Sequence, residues 1–165
     1  MNNYAFIDGQ NLHLGTLSAG WKIDLFKFRR YLKEKYKVTE AYYFLGAINE
    51  LENELYTNIQ KAGFILVFKK HSLEMLTKKK GNIDTDLVFL VMKKLCKNEI
   101  QDKVVLVTGD GDYIKIVDFL IEENKFEKIL LPNFKKSSSL YKKLGNKFFV
   151  DLSYPDIRKK IEYKG

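Results

Sequence analysis

Short apolar runs alternate with segments of helical period along nearly the whole chain, and this alternation constrains the fold most. Tyr4–Asp8, Val38–Leu45, Phe64–Phe68, Lys103–Thr108, Glu127–Leu131 and Lys147–Leu152 each read as a strand. Between them lie segments whose apolar residues recur every three or four positions. Leu25, Phe28, Leu32 and Tyr36 mark one helix, with Asp24 as its cap. Leu51, Leu55 and Ile59 mark a second over Glu50–Ala62, ended by Gly63. A third runs from Asp84 to Lys97 with Leu87, Leu90, Val91 and Leu95 inward, and a fourth follows Asp112 and ends near Asn124. Ser137–Leu144 reads as a short helix, and Pro155 suits the first turn of a terminal one. Strands alternating with helices require a mostly parallel sheet covered on both faces, an α/β fold. The stretch after Asp8 reads as a glycine-containing loop, and Lys69–Asn82 as a basic excursion without a clean period.

Length and composition narrow the class. The 165 residues suit one domain, with a core over about 4–150 and a C-terminal extension over 153–165. A chain of this size buries enough surface to need no disulfide or metal staple. Cys96, the lone cysteine, sits in an apolar-periodic stretch and reads as a small core residue. No apolar run reaches the ~20 residues of a membrane span, and Met1–Asp8 lacks the pattern of a signal peptide, so the expectation is a cytoplasmic protein with no membrane partner. Only His13 and His71 are present, too few nitrogen and sulfur ligands for a zinc site. A net charge of +8 favours a polyanionic partner.

The acids fall at segment ends. Strand one closes on Asp8, the fourth strand is followed by Asp110 and Asp112, and Asp84 and Asp86 open the helix between strands three and four. In an open α/β sheet, ligands bind beyond the carboxyl ends of the strands where strand order reverses. With strands one and four as neighbours, in the order 3-2-1-4-5, these carboxylates converge. Setting those five aspartates aside leaves 16 acids against 29 basic residues, a remainder of about +13. An acidic pocket in a basic protein points to a cation facing a polyanion. Carboxylate and amide oxygens suit a hard ion, Mg²⁺ or Mn²⁺. The bland roles are equally specific. Asp84 and Asp112 would serve as helix caps, and Asp110 and Asn11 as turn residues.

Three blocks carry a resemblance. Phe6-Ile7-Asp8-Gly9-Gln10-Asn11, Lys80-Gly81-Asn82-Ile83-Asp84-Thr85-Asp86-Leu87 and Thr108-Gly109-Asp110-Gly111-Asp112-Tyr113 resemble, in order, the signature blocks of the NYN domain family, which includes LabA-like proteins and is related to the PIN nucleases. The resemblance implies a three-layer PIN-like Rossmannoid fold and a metal-dependent ribonuclease. It puts Asp8, Asp84, Asp110 and Asp112 on the family's acidic metal-site positions, Asn11 on its asparagine and Asp86 on a more variable position. The chain has Leu90 near where many family members carry another acid.

On this reading Asp8 and Asp110 hold Mg²⁺ or Mn²⁺, Asp84 and Asp112 act through water, and Asn11 positions phosphate. Gly109 and Gly111 permit a tight turn and close approach of the backbone. RNA is gripped by Lys69, Lys70, Lys78, Lys79, Lys80, Lys135 and Lys136, aided by Lys142 and Lys143. Tyr42, Tyr43, Phe134 and Tyr141 are candidates for base stacking but read more simply as core; Trp21 is open between core, base platform and dimer contact. The alternative function is a regulatory module that binds nucleic acid or protein without cleaving. A homodimer is compatible with the sequence, although no motif calls for one. The chain lacks the dinucleotide fingerprint Gly-x-Gly-x-x-Gly and the Gly-Lys-Ser/Thr P-loop, which disfavours a nucleotide-binding α/β enzyme.

Overall fold

The computed structural model describes residues 1–46, 48, 50–68 and 83–165, with side chains described from residue 85 in the last segment. A six-stranded parallel sheet runs through the molecule in the order β3-β2-β1-β4-β5-β6. Its strands are β1 (Asn3–Asp8), β2 (Val38–Leu45), β3 (Ile65–Phe68), β4 (Val104–Val107), β5 (Phe126–Leu131) and β6 (Phe149–Asp151). Seven α-helices are described: α1 (Gly9–Ser18), α2 (Leu25–Tyr36), α3 (Asn53–Lys61), α4 (Ile83–Cys96), α5 (Ile114–Glu122), α6 (Ser139–Lys142) and α7 (Pro155–Ile161). Single 3₁₀ turns at Glu50–Glu52 and Gly111–Tyr113 lead into α3 and α5.

Period-two alternation divides the sheet between two cores. Ala5 and Ile7 of β1 and Val105 and Val107 of β4 pack with Phe28 and Leu32 of α2, Ile59 of α3 and Ile161 of α7. Phe6, Val104 and Leu106 face the other way, against Leu87 and Val91 of α4 and Val117 and Leu120 of α5. The central strands are apolar on both faces because helices cover both. The terminal segment belongs to the first core. The amide of Asp24 donates to the carbonyl of Ile161 (2.8 Å) and that of Tyr163 to the carbonyl of Lys22 (2.8 Å).

Three local expectations are corrected. The segment after β1 is a helix, α1, and not a loop. Its sequence carries no apolar stripe, since Leu14 and Leu17 are exposed while Gly9 and Thr16 are buried. It forms because Asp8 caps it, and because two glycines admit close neighbours. A Cβ on Gly9 would lie 2.4 Å from Tyr43 Cε1, and one on Gly15 would lie 2.8 Å from Pro132 Cβ. The α3 stripe is real only at Ile59; Leu51 is 94% exposed and Leu55 40%. Cys96 is exposed at the end of α4, not in the core. Asp24 does cap α2, accepting from the Lys27 amide at 3.1 Å. Gly63, at φ 103°, reverses the chain after α3.

Candidate functional site

The strand order places a crevice between the carboxyl ends of β1 and β4. From β1 the chain moves outward to β2 and β3, then crosses to β4, β5 and β6 on the other side. The connections that leave β1 and β4 therefore diverge, which opens the space where α/β sheets take ligands. The β1–β4 register pairs Ile7 with Val107, so the next residues, Asp8 and Thr108, stand side by side.

Asp8 is 5% exposed and does two jobs there. Its Oδ1 accepts from the Asn11 amide (3.2 Å), capping α1, and its Oδ2 accepts from the Thr108 hydroxyl (3.2 Å). Thr108 Oγ1 in turn accepts from the Asp110 amide (3.1 Å), and Asp110 Oδ1 accepts from the Asp112 amide (2.9 Å), capping the 3₁₀ turn. Asn11 closes the ring, with its Oδ1 accepting from the Gly109 amide at 2.8 Å. One hydrogen-bonded circuit thus joins Asp8, Asn11, Asp110 and Asp112. The Asp110 side chain caps this turn, the role expected of Asp112, whose own side chain is exposed. The phenol of Tyr43 lies under this site. Burial pushes it above its ordinary pKa, and the Asp8 charge adds to the rise.

The β4 loop is held from behind. The Ser138 amide donates to the Gly109 carbonyl (3.0 Å), and the Tyr141 hydroxyl donates to the Asp110 carbonyl. A Cβ on Gly109 would meet Ser137 Oγ at 2.7 Å, and one on Gly111 would meet Ser138 Oγ at 2.7 Å. These glycines admit the two serines, so the close approach they allow is to Ser137 and Ser138. From sequence alone, Thr108, Ser137 and Ser138 have no role in the site, and Tyr141 is a stacking candidate that reads more simply as core. A polar residue closing an apolar strand before Gly109 was the available signal for Thr108; nothing local marks the serines.

Position 84 is the second residue of α4, which packs on β1 and on the 3₁₀ turn. A helix crossing back from β3 to the start of β4 begins at the carboxyl edge of the sheet, so α4 opens at the edge where Asp8 lies. The Asp84 side chain lies outside the described residues, as do Lys69, Lys70, His71, Lys78, Lys79 and Lys80. Asp86 is half-buried on α4. Among the described residues, no group of three or more His, Cys, Asp or Glu is gathered closely enough to hold a metal ion. The circuit therefore joins the acids mainly through backbone amides and one hydroxyl, and not as a packed cluster.

Lys135 and Lys136 are exposed on the loop after β5, immediately before Ser137 and Ser138. Lys142 lies over the Phe134 ring, 4.4 Å from its centroid. The stacking candidates Tyr42, Tyr43 and Tyr141 are buried, as is Trp21, whose Nε1 donates to Ser153 Oγ at 3.3 Å. All four are core residues.

The sequence profile of the NYN domain matches residues 4–152. The chain belongs to the NYN domain family. The fold is accordingly the nuclease-type fold related to PIN domains; the first and third blocks that carried the resemblance fall at the β1 end and the β4 end, and the described part of the second, 83–87, opens α4. No curated protein matches this NYN chain by sequence. Among solved structures, the crystal structure of a protein of unknown function from Vibrio parahaemolyticus is similar, at TM-score 0.79 and 16% identity. The match covers 98% of this chain and 96% of that one, so the likeness in fold extends through α7, beyond the span of the NYN profile. Among the described residues, no helix is long and apolar enough to cross a membrane.

Proposed function

We propose that this NYN domain is a ribonuclease that hydrolyses RNA with Mg²⁺ or Mn²⁺ at the crevice between β1 and β4. The observation that carries the reading is the meeting of Asp8 and Asp110 through Thr108 at the point where strand order reverses. The donor chemistry fits a hard cation, because carboxylate and amide oxygens are its preferred ligands. Mg²⁺ in particular keeps several waters and needs only one or two carboxylates beside substrate phosphate. Its acidic ligands in this proposal come from Asp8, Asp84, Asp86, Asp110 and Asp112. A bound ion of this kind would screen phosphate charge and lower the pKa of water.

The protein's own groups account for the rest. Thr108 and Asn11 fix the spacing of the β1 and β4 ends, so the two carboxylates reach the crevice at a set separation. Asn11 engages Gly109 through its Oδ1, which leaves its amide donors for a phosphate oxygen of the substrate. Asp112, exposed at the lip, is suited to take a proton from the attacking water. Attack on phosphorus with departure of the 3′-oxygen leaves a 5′-phosphate and a 3′-hydroxyl. Lys135 and Lys136, with the five lysines at 69, 70, 78, 79 and 80, supply the charge that holds a polyanion.

The test is cleavage of a labelled single-stranded RNA in Mn²⁺ or in chelator by wild type, Asp8→Asn and Asp110→Asn. Cleavage should disappear in chelator and fall by about 100-fold or more in each variant. Activity that survives both treatments would refute the reading. A second reading, a regulatory module that binds RNA or protein without cutting, is favoured by the lack of a three-acid group among the described residues. RNA binding with no cleavage in Mn²⁺ would decide for it.

A further inference from the structure

A cleft of about 600 Å³ opens beside the acidic crevice, between the first turns of α1 and α3. We infer that it receives one unpaired base of the RNA strand whose phosphate lies at Asp8 and Asp110. This inference rests on the ribonuclease reading and adds how the substrate is seated.

Continuity comes first. Gly9, which follows Asp8 directly, lines the cleft, and Tyr43 lies both against Gly9 and within the influence of the Asp8 charge. A strand lying at the crevice passes the mouth of the cleft. Size agrees, since small-ligand clefts span ~300–1,000 Å³. Chemistry selects the occupant. Tyr43, Leu45, Leu55 and Tyr56 give apolar and aromatic walls, and the Tyr56 ring is set edge-on by Phe68 at 4.9 Å between centroids. Gln10 and His13, three residues apart on α1, share the rim with Glu52. Those three supply donors and acceptors, while Lys22 is the one Lys or Arg among the described lining residues. Flat apolar faces with hydrogen-bonding edges describe an unstacked nucleobase, the form in which single-stranded RNA is read. Among the described lining residues one cation is too few for a free nucleotide's phosphate chain, so the phosphate charge is assigned to the neighbouring crevice and the base to the cleft.

The experiment measures binding in chelator, where no cleavage intrudes. The ligands are a short single-stranded oligoribonucleotide with one internal 4-thiouridine, and the same oligonucleotide abasic at that position. Leu55→Trp fills the cleft from a residue already 40% exposed, so folding is spared; circular dichroism and melting confirm this. Wild type should bind the base-containing strand about tenfold or more tighter than the abasic one. Leu55→Trp should erase that difference, and ultraviolet crosslinks should map to the cleft-lining parts of α1, α3, the end of β2 or residues 22–25. Gln10→Ala and His13→Ala should each narrow the difference. Equal affinity for the two strands, or crosslinks confined to other segments, would overturn the base site while cleavage in Mn²⁺ still upheld the nuclease. A wild type that neither binds nor cuts RNA would overturn both.

Discussion

Replacing Thr108 by valine tests the hydrogen-bonded circuit most directly. Valine matches threonine in shape but lacks the hydroxyl, and Thr108 is only 1% exposed, so water cannot replace the lost partner. Two bonds go. The first runs from the hydroxyl to Asp8 Oδ2 at 3.2 Å. A bond to an ionised acceptor is worth about 1.5–3 kcal/mol, and this length argues for the lower end. The second, from the Asp110 amide at 3.1 Å, contributes about 1 kcal/mol. Together the loss is about 2.5 kcal/mol. For a domain of this size each kcal/mol moves Tm by about 2–4 °C, so Thr108→Val should melt about 5–10 °C lower. Thr108→Ser keeps the hydroxyl and removes one buried methyl, a loss of about 1 kcal/mol. Urea unfolding of wild type and both variants, with m-values compared, is the assay. The valine variant should be clearly the weaker of the two. Equal stability of valine and wild type, or a serine variant as weak as valine, would show that the hydroxyl does not tie β1 to β4.

Gly9→Ala should destabilise by about 1–3 kcal/mol, measured by the same unfolding curves, because the new methyl would sit 2.6 Å from the backbone carbonyl of Phe44, which cannot swing away. Burial raises the phenols of Tyr36 and Tyr43 above the usual value of 10.0 in the folded chain. Their neutral forms therefore contribute stability that is fully present below pH ~10 and is lost as pH rises beyond it toward the folded values. The urea midpoint should fall above that pH, and Tyr36→Phe should fall less steeply. Lys135→Ala with Lys136→Ala should weaken RNA binding and flatten its log-affinity against log-salt slope by about 1.4, from ~0.7 per phosphate contact on a single strand. An unchanged slope would remove both lysines from the interface.

Much of the scaffold was legible without coordinates. The six strands are short and apolar because both sheet faces are covered, and that burial leaves a signature in any sequence. Asp8 and Asp110 stood out because a charged residue that closes such a run, or follows it within a turn, lies at a strand end. Asn11 was legible as a residue type but not as a bridge to the Gly109 amide. Helix α1 was hidden because its stability comes from a cap and from contacts through Gly9 and Gly15, not from an apolar stripe. Leu51 and Cys96 misled for the reverse reason, since helical spacing does not say where a packed face ends.

By itself the chain determined its alternation of strand and helix, its basic surplus and the positions of its acids relative to strand ends, since these follow from local patterns of burial and turn chemistry. Only the three-dimensional arrangement decided that Thr108, an uncharged residue given no role of its own, links two aspartates about a hundred positions apart. Register across a parallel sheet depends on how whole strands pack, and no local stretch of sequence contains both partners.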